Sequence, residues 1–181
     1  ETILAILRSG AGYRIAPGKD RAISAINAEN LDTFPHERGY SGKSIGEYAN
    51  ELAFAALNRN GAVITWGSTA AGGDSSNVAS EISSGVSGIF STANAFAALK
   101  KDGSVVTWGA GASGGNSSEV TNSLFSGVRR IYSNRYAFAA LKEDNSVVTW
   151  GSTPSGGDSS SVSAQLAGGV QAIFSNENCF A

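Results

Sequence analysis

The chain has 181 residues, of which 13 are basic and 15 are acidic, with one histidine, one cysteine and no methionine. Neither sign of charge is clustered, which argues against a nucleic-acid footprint and against a polybasic membrane patch. The single cysteine excludes an internal disulfide, and no apolar run is long enough to cross a bilayer. With 23 glycines and apolar residues at regular intervals, the composition is typical of a turn-rich β protein.

The chain is organised by a sequence repeat. Two aromatic series keep a constant step of 42 residues, namely Phe54, Phe96 and Phe138, and Trp66, Trp108 and Trp150. Such a step is the signature of stacked or radial repeat architectures. We therefore predict a mainly β fold of tandem repeats. Residues 53–94, 95–136 and 137–178 form the copies, and residues 179–181 begin another one, as in a segment of a longer protein.

Residues 1–52 are interpreted as a degenerate or capping first copy with a long loop. The run from Leu4 to Gly18 can be laid over the later segments that join the phenylalanine to the tryptophan. Leu4 lies 50 residues before Phe54, so this copy carries 8 residues more than the step of 42. We place the excess in the polar loop around Asp32 to Ser41, since terminal repeats are often atypical.

Each later copy contains a predicted β-hairpin. In residues 95–109, Asp102 and Gly103 separate two short apolar runs, and Asp-Gly tolerates the positive φ that a tight turn needs. We predict antiparallel strands from Ala95 to Lys100 and from Ser104 to Gly109. Both strands are apolar on both faces, so neighbouring copies are expected to cover them, with the Phe and Trp series packed between repeats.

A Gly- and Ser-rich linker follows each hairpin and leads to a valine with an apolar residue four positions later. The pairs are Val78 and Ile82, Val120 and Leu124, and Val162 and Leu166. This spacing favours a short helical element over a kinked outer strand, with Asp74, Asn116, Asp158 or the serine after each as the cap. A further strand is predicted at residues 86–91, 128–133 and 170–175, which gives three strands in each copy.

This order of elements resembles the repeat of the regulator of chromosome condensation family. The residues that carry the likeness are AFAAL, then DGSVVTWG, then the Gly-rich linker, over Leu52 to Ala181 and loosely over Glu1 to Glu51. The step is shorter than in that family, Gly-Gly-Asp-Ser-Ser replaces its Gly-Gln-Leu-Gly, and Phe replaces its His. The resemblance implies a β-propeller-like scaffold that binds other macromolecules, and regulation of a GTPase or a ubiquitin ligase is a further alternative.

The number of copies leaves a second fold open. The chain holds about four repeats, too few to close the seven-bladed propeller ring of the family that it resembles. An open β-solenoid built from the same local unit is therefore the alternative architecture. Its exposed ends would pair readily with other chains.

Residues that could carry chemistry have simpler roles in this scheme. Cys179 stands where the other copies have alanine, which favours a small buried strand residue over a nucleophile. His36 lies in the polar loop, where solvated surface is expected. Asp74 and Asp158 could bind Ca²⁺, but Asn116 interrupts the series, so capping is predicted. We predict no catalytic residue, no metal and no cofactor.

Positions that differ between copies indicate a recognition surface. Arg and Tyr are favoured at interface hot spots, and equivalent loops of a repeat array share one rim. The predicted rim comprises Arg129, Arg130, Arg135, Tyr136, Ala93, Asn94, Glu177 and Asn178. The variable pair Glu51 and Leu52 lies in the equivalent loop before the first AFAAL.

We therefore predict a non-enzymatic repeat module for protein–protein interaction or adhesion. An extracellular or cell-surface location is favoured over the cytoplasm. The alternative is a structural subunit whose exposed repeat ends join into a filament or array. In both cases the partner is a protein or a second copy, and neither nucleic-acid binding nor membrane insertion is expected.

Overall fold

The computed structural model describes residues 48–181 in full and the backbone of residues 4–6, 12–14 and 25–27. Within these ranges the strands are Leu4–Ile6 (β1), Gly12–Arg14 (β2), Ala25–Asn27 (β3), Ala53–Leu57 (β4), Val63–Gly67 (β5), Val86–Ser91 (β6), Ala95–Lys100 (β7), Val105–Gly109 (β8), Val128–Ser133 (β9), Ala137–Lys142 (β10) and Val147–Gly151 (β11). One turn of α-helix, Thr121–Leu124 (α1), accompanies them. The prediction of a mainly β fold is confirmed for this part of the chain.

The strands form small sheets that follow one another along the chain. Strands β6, β7 and β8 form one antiparallel sheet in that order, and β9, β10 and β11 form another. We call their first strands inner, the second middle and the third outer. In the preceding sheet β4 is the middle strand and β5 the outer one, but β3 pairs with β4 in parallel. Strands β1 and β2 form an antiparallel hairpin.

The hairpins form where the turn chemistry predicted them. The Asp102 carboxylate accepts hydrogen bonds from the backbone N–H of Ser104 at 3.0 Å and from its hydroxyl at 2.6 Å. Gly103 takes φ +78°, and Asn145 takes φ +63° at the equivalent turn. Asparagine tolerates this region better than most residues. The second strand of the middle hairpin begins at Val105, one residue later than predicted.

The linkers fold into short 3₁₀ turns rather than outer strands. These turns are Thr69–Ala71, Ser76–Val78, Gly111–Ser113, Ser118–Val120, Thr153–Ser155 and Ser160–Val162. The side-chain oxygens of Asp74, Asn116 and Asp158 accept the backbone N–H two residues later, at 2.9 to 3.0 Å. These bonds form a local turn just before the second 3₁₀ turn of each linker. The N-cap residues of those turns are Ser75, Ser117 and Ser159, and none of them makes a side-chain capping bond, so the predicted side-chain caps are not formed.

The predicted strand at residues 170–175 is wrong. Only Ser175 forms a bridge there, with Phe180. The inner strands β6 and β9 each pair with a six-residue middle strand. Residues 170–175 make only the Ser175 bridge and the two backbone bonds between Phe174 and Ala181, which is less than a strand ladder requires.

The hydrophobic core lies between consecutive sheets. Phe96 and Trp108 pack with Ala53 and Ala55 of the preceding sheet. In the same way Phe138 and Trp150 pack with alanines of β7 and with Leu124. Fully burying one such aromatic side chain contributes about 1.5 to 3 kcal/mol. Packing against the neighbouring sheet therefore stabilises each hairpin.

Candidate functional site

Aromatic pairs join each copy to the one before it. The rings of Phe96 and Trp108 stack with centroids 5.4 Å apart, and those of Phe138 and Trp150 with centroids 5.2 Å apart. The indole Nε1 of Trp108 donates to a carbonyl oxygen in the preceding copy, that of Gly72, at 3.0 Å. Trp150 makes the same bond to Gly114, also at 3.0 Å. The tryptophans therefore lie in the interfaces between repeats.

The first aromatic pair has the same stacked geometry but is less buried. Phe54 and Trp66 stack with centroids 5.4 Å apart and an interplanar angle of 8°. Both side chains are only half-buried. The residues that would supply the preceding glycine carbonyl lie outside the part of the chain that the structure describes.

Glycine is required where a linker crosses these rings. Gly114 has φ +91°, and a Cβ atom there would lie 2.5 Å from Cδ2 of Phe138. Gly72 is equivalent, with φ +93° and 2.8 Å to Cδ2 of Phe96. Any side chain would strain the backbone and collide with the ring. The Gly-Gly of each linker thus permits close packing between repeats.

A buried polar residue fixes the tight turn before each middle strand. The Asn134 amide oxygen accepts the backbone N–H of Tyr136 at 3.0 Å and of Ala137 at 2.8 Å, and its Nδ2 donates to the Ser155 carbonyl at 2.7 Å. Asn50 makes the equivalent set of bonds. Sequence reasoning missed this role, although the asparagines at 50, 134 and 176 keep the 42-residue register.

In the middle copy a threonine, Thr92, takes the place of the buried asparagine at this turn. Thr92 is fully buried, and its hydroxyl donates to the Ser113 carbonyl at 2.8 Å and accepts the Ala95 N–H at 3.1 Å. One hydroxyl oxygen thus replaces an amide group that makes three bonds. The contrast shows which bonds the turn requires and which it can lose.

The tight turns of successive copies are joined by backbone hydrogen bonds. The N–H of Glu51 donates to the Ala93 carbonyl at 2.9 Å, Ala93 to Arg135 at 2.9 Å, and Arg135 to Glu177 at 3.0 Å. Each of these steps spans 42 residues. We call residues 51–52, 93–94, 135–136 and 177–178 the turn ladder. It places equivalent positions of all copies along one edge of the molecule.

An ion-pair network lies on the turn ladder. The Arg135 guanidinium contacts the Glu177 carboxylate at 3.0 Å and the Glu51 carboxylate at 3.4 Å. It also lies over the Tyr136 ring, 5.3 Å from the centroid. The phenol oxygens of Tyr48 and Tyr136, followed by Glu51, raise the pKa of Arg135 above its ordinary value. Arg135 therefore links three tight turns while it stays charged.

The predicted rim residues do not form one cluster. Arg129 and Arg130 begin strand β9, whereas Arg135 and Tyr136 follow its end. At about 3.3 Å per residue, roughly 15 Å of strand separates the two pairs. Arg129 and Arg130 are exposed, and Arg130 lies over the ring of Tyr132, 4.9 Å from the centroid.

The other rim residues lie on the turn ladder but differ in exposure. Ala93 is 1% exposed, so its side chain cannot contact a partner. Asn94 is half-buried, and Glu177 and Asn178 are exposed. Leu52, in the equivalent pair before the first AFAAL, is 59% exposed and adds an apolar surface to the ladder.

Two residues that the sequence marks as possible catalytic groups, Cys179 and His36, have different outcomes. Cys179 is exposed rather than buried, because the segment that contains it forms only a bridge at Phe180 and no strand. His36 lies outside the described residues. Among residues that the structure describes, no group of three or more His, Cys, Asp or Glu side chains is placed to hold a metal ion.

Comparison of the sequence with protein-family models gave no match, and comparison with curated proteins gave no significant match. In the described ranges, no helix has the length and apolar character to span a membrane. The fold and the turn ladder define the chain as a β-rich protein built from repeated sheets.

Proposed function

We propose that this chain is a non-enzymatic interaction module, built as part of a β-propeller-like array, whose protein partner docks on the turn ladder. The observation that carries the proposal is the ladder itself. Its backbone is the same in every copy, while its side chains change from Glu and Leu to Ala and Asn and then to Arg and Tyr. A constant frame with variable side chains is how repeat proteins present binding surfaces.

The packing between sheets supports a radial arrangement of the copies. The inner strands β6 and β9 contact each other directly, whereas the outer strands β8 and β11 contact the 3₁₀ turns of the preceding linker. Neighbouring sheets are therefore closer at their inner edges than at their outer edges. Wedge-shaped units of this kind fan out around an axis, as blades of a propeller do.

Contacts between alternate copies support the same arrangement. The backbone N–H of Tyr48 donates to the Ser133 hydroxyl at 2.7 Å, and the Tyr48 carbonyl accepts from the Ser91 hydroxyl at 2.7 Å. Arg135 likewise contacts Glu51, which lies two steps of 42 residues earlier. Residues from three copies thus meet at one end of the inner strands, as they would around an axis.

The chemistry of the turn ladder favours a protein surface as partner. Leu52 is 59% exposed and Tyr136 is half-buried, with its ring against the Arg135 guanidinium. Partly exposed aromatic and aliphatic side chains around an ion-pair network are typical of the anchors and rim of a protein interface. Arg135 already pairs with two carboxylates, so we assign the main contacts to Leu52 and Tyr136.

The experiment is partner capture by the purified chain, followed by two matched variants. We expect Leu52→Ser combined with Tyr136→Ser to lose the captured protein, because both contact side chains are removed without touching the buried turn. The control is Ile64→Ser, which removes an apolar side chain that is 47% exposed on the outer strand β5. Capture that survives the first change but is lost in the control would place the partner on the outer strands and contradict the proposal.

A further inference from the structure

A cavity opens where the middle hairpin meets the linker that follows it. It lies at the Lys100 end of strand β7, whereas the turn ladder lies at the other end, before Ala95. Its volume is about 190 Å³, below the roughly 300 to 1,000 Å³ of pockets for drug-sized ligands, so it suits a small molecule. The wall carries both signs of charge and an apolar surface, from Glu81, Lys100, Val105, Val106, Leu124 and Phe125.

The outer strand β8 has an open hydrogen-bond donor in this cavity. In the sheets on either side, the first residue of the outer strand donates its backbone N–H to the linker at 2.9 Å, in the pairs Val63 to Ile82 and Val147 to Leu166. Val105 and Leu124 are the equivalent residues here, but the bond between them is absent from the described chain. In this linker the residues form helix α1 instead. The Val105 N–H is therefore open to an acceptor from a ligand.

Lys100 supplies the cavity with a cation that lacks the contact its counterpart makes. One copy later, Lys142 donates from Nζ to the Ser123 carbonyl at 2.8 Å. Each lysine also attracts the aspartate of its own hairpin, so that attraction does not distinguish the two. The ion pairs of the described chain do not include Lys100, even with Glu81 in the same wall. The half-buried Lys100 ammonium can therefore bind a carboxylate.

Two further residues distinguish this cavity from the same place in other copies. Glu81 stands where the next copy has Ser123, and it adds a carboxylate to the wall that carries Lys100. Phe125 stands where the other copies have Ser83 and Ala167, and it is 78% exposed. An anion, a cation, an open N–H and an exposed ring thus meet at one place.

We propose that this cavity binds a small apolar α-amino acid. The ligand carboxylate accepts from the Lys100 ammonium and the Val105 N–H, the ligand ammonium pairs with Glu81, and the ligand side chain covers Phe125. Charge-assisted hydrogen bonds of this kind are stronger than neutral ones. A carboxylic acid without an amino group leaves Glu81 unpaired beside it and is repelled. The site lies apart from the turn ladder, so it goes beyond the proposed partner surface.

The test is a nuclear magnetic resonance titration of the isotope-labelled chain with L-leucine. We expect the backbone N–H signal of Val105 to move, because that group gains a carboxylate acceptor. The N–H signals of Val63 and Val147 are internal controls, since both groups are already bonded within the chain. If the Val105 signal stays fixed up to the solubility limit of L-leucine, or if all three signals move equally, the proposal is overturned.

Two analogues of L-leucine test whether both charged groups are recognised. Isocaproate lacks the amino group, and isoamylamine lacks the carboxylate. Each should bind roughly tenfold more weakly than L-leucine, since each loses a charge-assisted hydrogen bond. Isocaproate that binds as tightly as L-leucine would show that Glu81 does not select an amino group, and the assignment of an amino acid would be wrong.

Matched lysine variants locate the ligand. Lys100→Met keeps the stem and removes the ammonium, so the dissociation constant of L-leucine should rise roughly tenfold. Lys142→Met removes the equivalent ammonium outside the cavity and should bind L-leucine as the parent chain does. Phe125→Ala, which introduces the residue type of Ala167, should also weaken binding. Equal affinity in Lys100→Met and in the parent chain would overturn the proposal.

Discussion

The buried turn asparagine gives the sharpest test of how the repeats are stabilised. Asn134 is 1% exposed and makes three hydrogen bonds, to Tyr136, Ala137 and Ser155. Replacing it with alanine leaves two N–H groups and one carbonyl without their partner. At about 1 kcal/mol for each bond, Asn134→Ala should lower the free energy of unfolding by about 3 kcal/mol.

The middle copy supplies the matched control. Thr92 makes two of the three bonds with one hydroxyl, so Asn134→Thr should cost only about 1 kcal/mol. The reverse change, Thr92→Asn, restores a second acceptor contact and should stabilise the chain by up to about 1 kcal/mol. The three variants together test whether the free energy of unfolding follows the number of hydrogen bonds that the side chain at this turn makes.

Urea denaturation followed by tryptophan fluorescence measures these differences, since the midpoint shifts at constant slope when only stability changes. The expected order of stability is Thr92→Asn, the parent chain, Asn134→Thr and then Asn134→Ala. If Asn134→Thr and Asn134→Ala lose the same stability, the hydrogen bonds do not set the cost and the reasoning is refuted.

Other changes test the interfaces and the linker turns. Gly114→Ala should destabilise the chain by about 3 kcal/mol through ring overlap and positive φ, whereas Gly168→Ala, whose Cβ would meet nothing closer than 3.8 Å, should be near neutral in the same denaturation assay. Trp150→Phe should cost about 1 to 3 kcal/mol, because a buried carbonyl loses its indole donor; an unchanged urea midpoint would show that this bond does not join the copies. The carboxylates of Asp74 and Asp158 have pKa values below the ordinary 3.8, through hydrogen bonds from the backbone and hydroxyl of the serine two residues later. Their contribution is therefore present above pH 3.8 and is lost as the pH falls through the lowered pKa. Changing both residues to asparagine, as in the middle copy, should make the free energy of unfolding fall less steeply as the pH drops below 3.8. An equally steep fall in the variant and the parent chain would contradict this prediction.

The repeat step predicted most of the β structure. Equal spacing identified the hairpins because turn residues such as Asp102 and Gly103 act locally, and the strands beside them alternate on schedule. The same reasoning failed at residues 170–175, since a strand needs a partner and periodicity alone does not supply one. Strand β3 has no counterpart in the other copies, so no repeat pattern could indicate its parallel pairing.

The candidate site was harder to predict than the fold. Periodicity shows which positions are equivalent, but it does not show at which end of a strand they lie. Variability between copies therefore groups Arg130 with Arg135, although the strand at residues 128–133 separates them. The role of Asn134 depends on a carbonyl 21 residues away, a contact that no local motif encodes.

The indole bond between copies restricts how such a chain can change in length. Trp108 and Trp150 each bind the carbonyl of a glycine 36 residues earlier, and that glycine is packed against the neighbouring ring. Adding or deleting one amino acid in the linker would shift the glycine away from the ring and the carbonyl away from the indole at the same time. Duplication or removal of a whole unit leaves both contacts intact, so the array can change length in steps of one repeat.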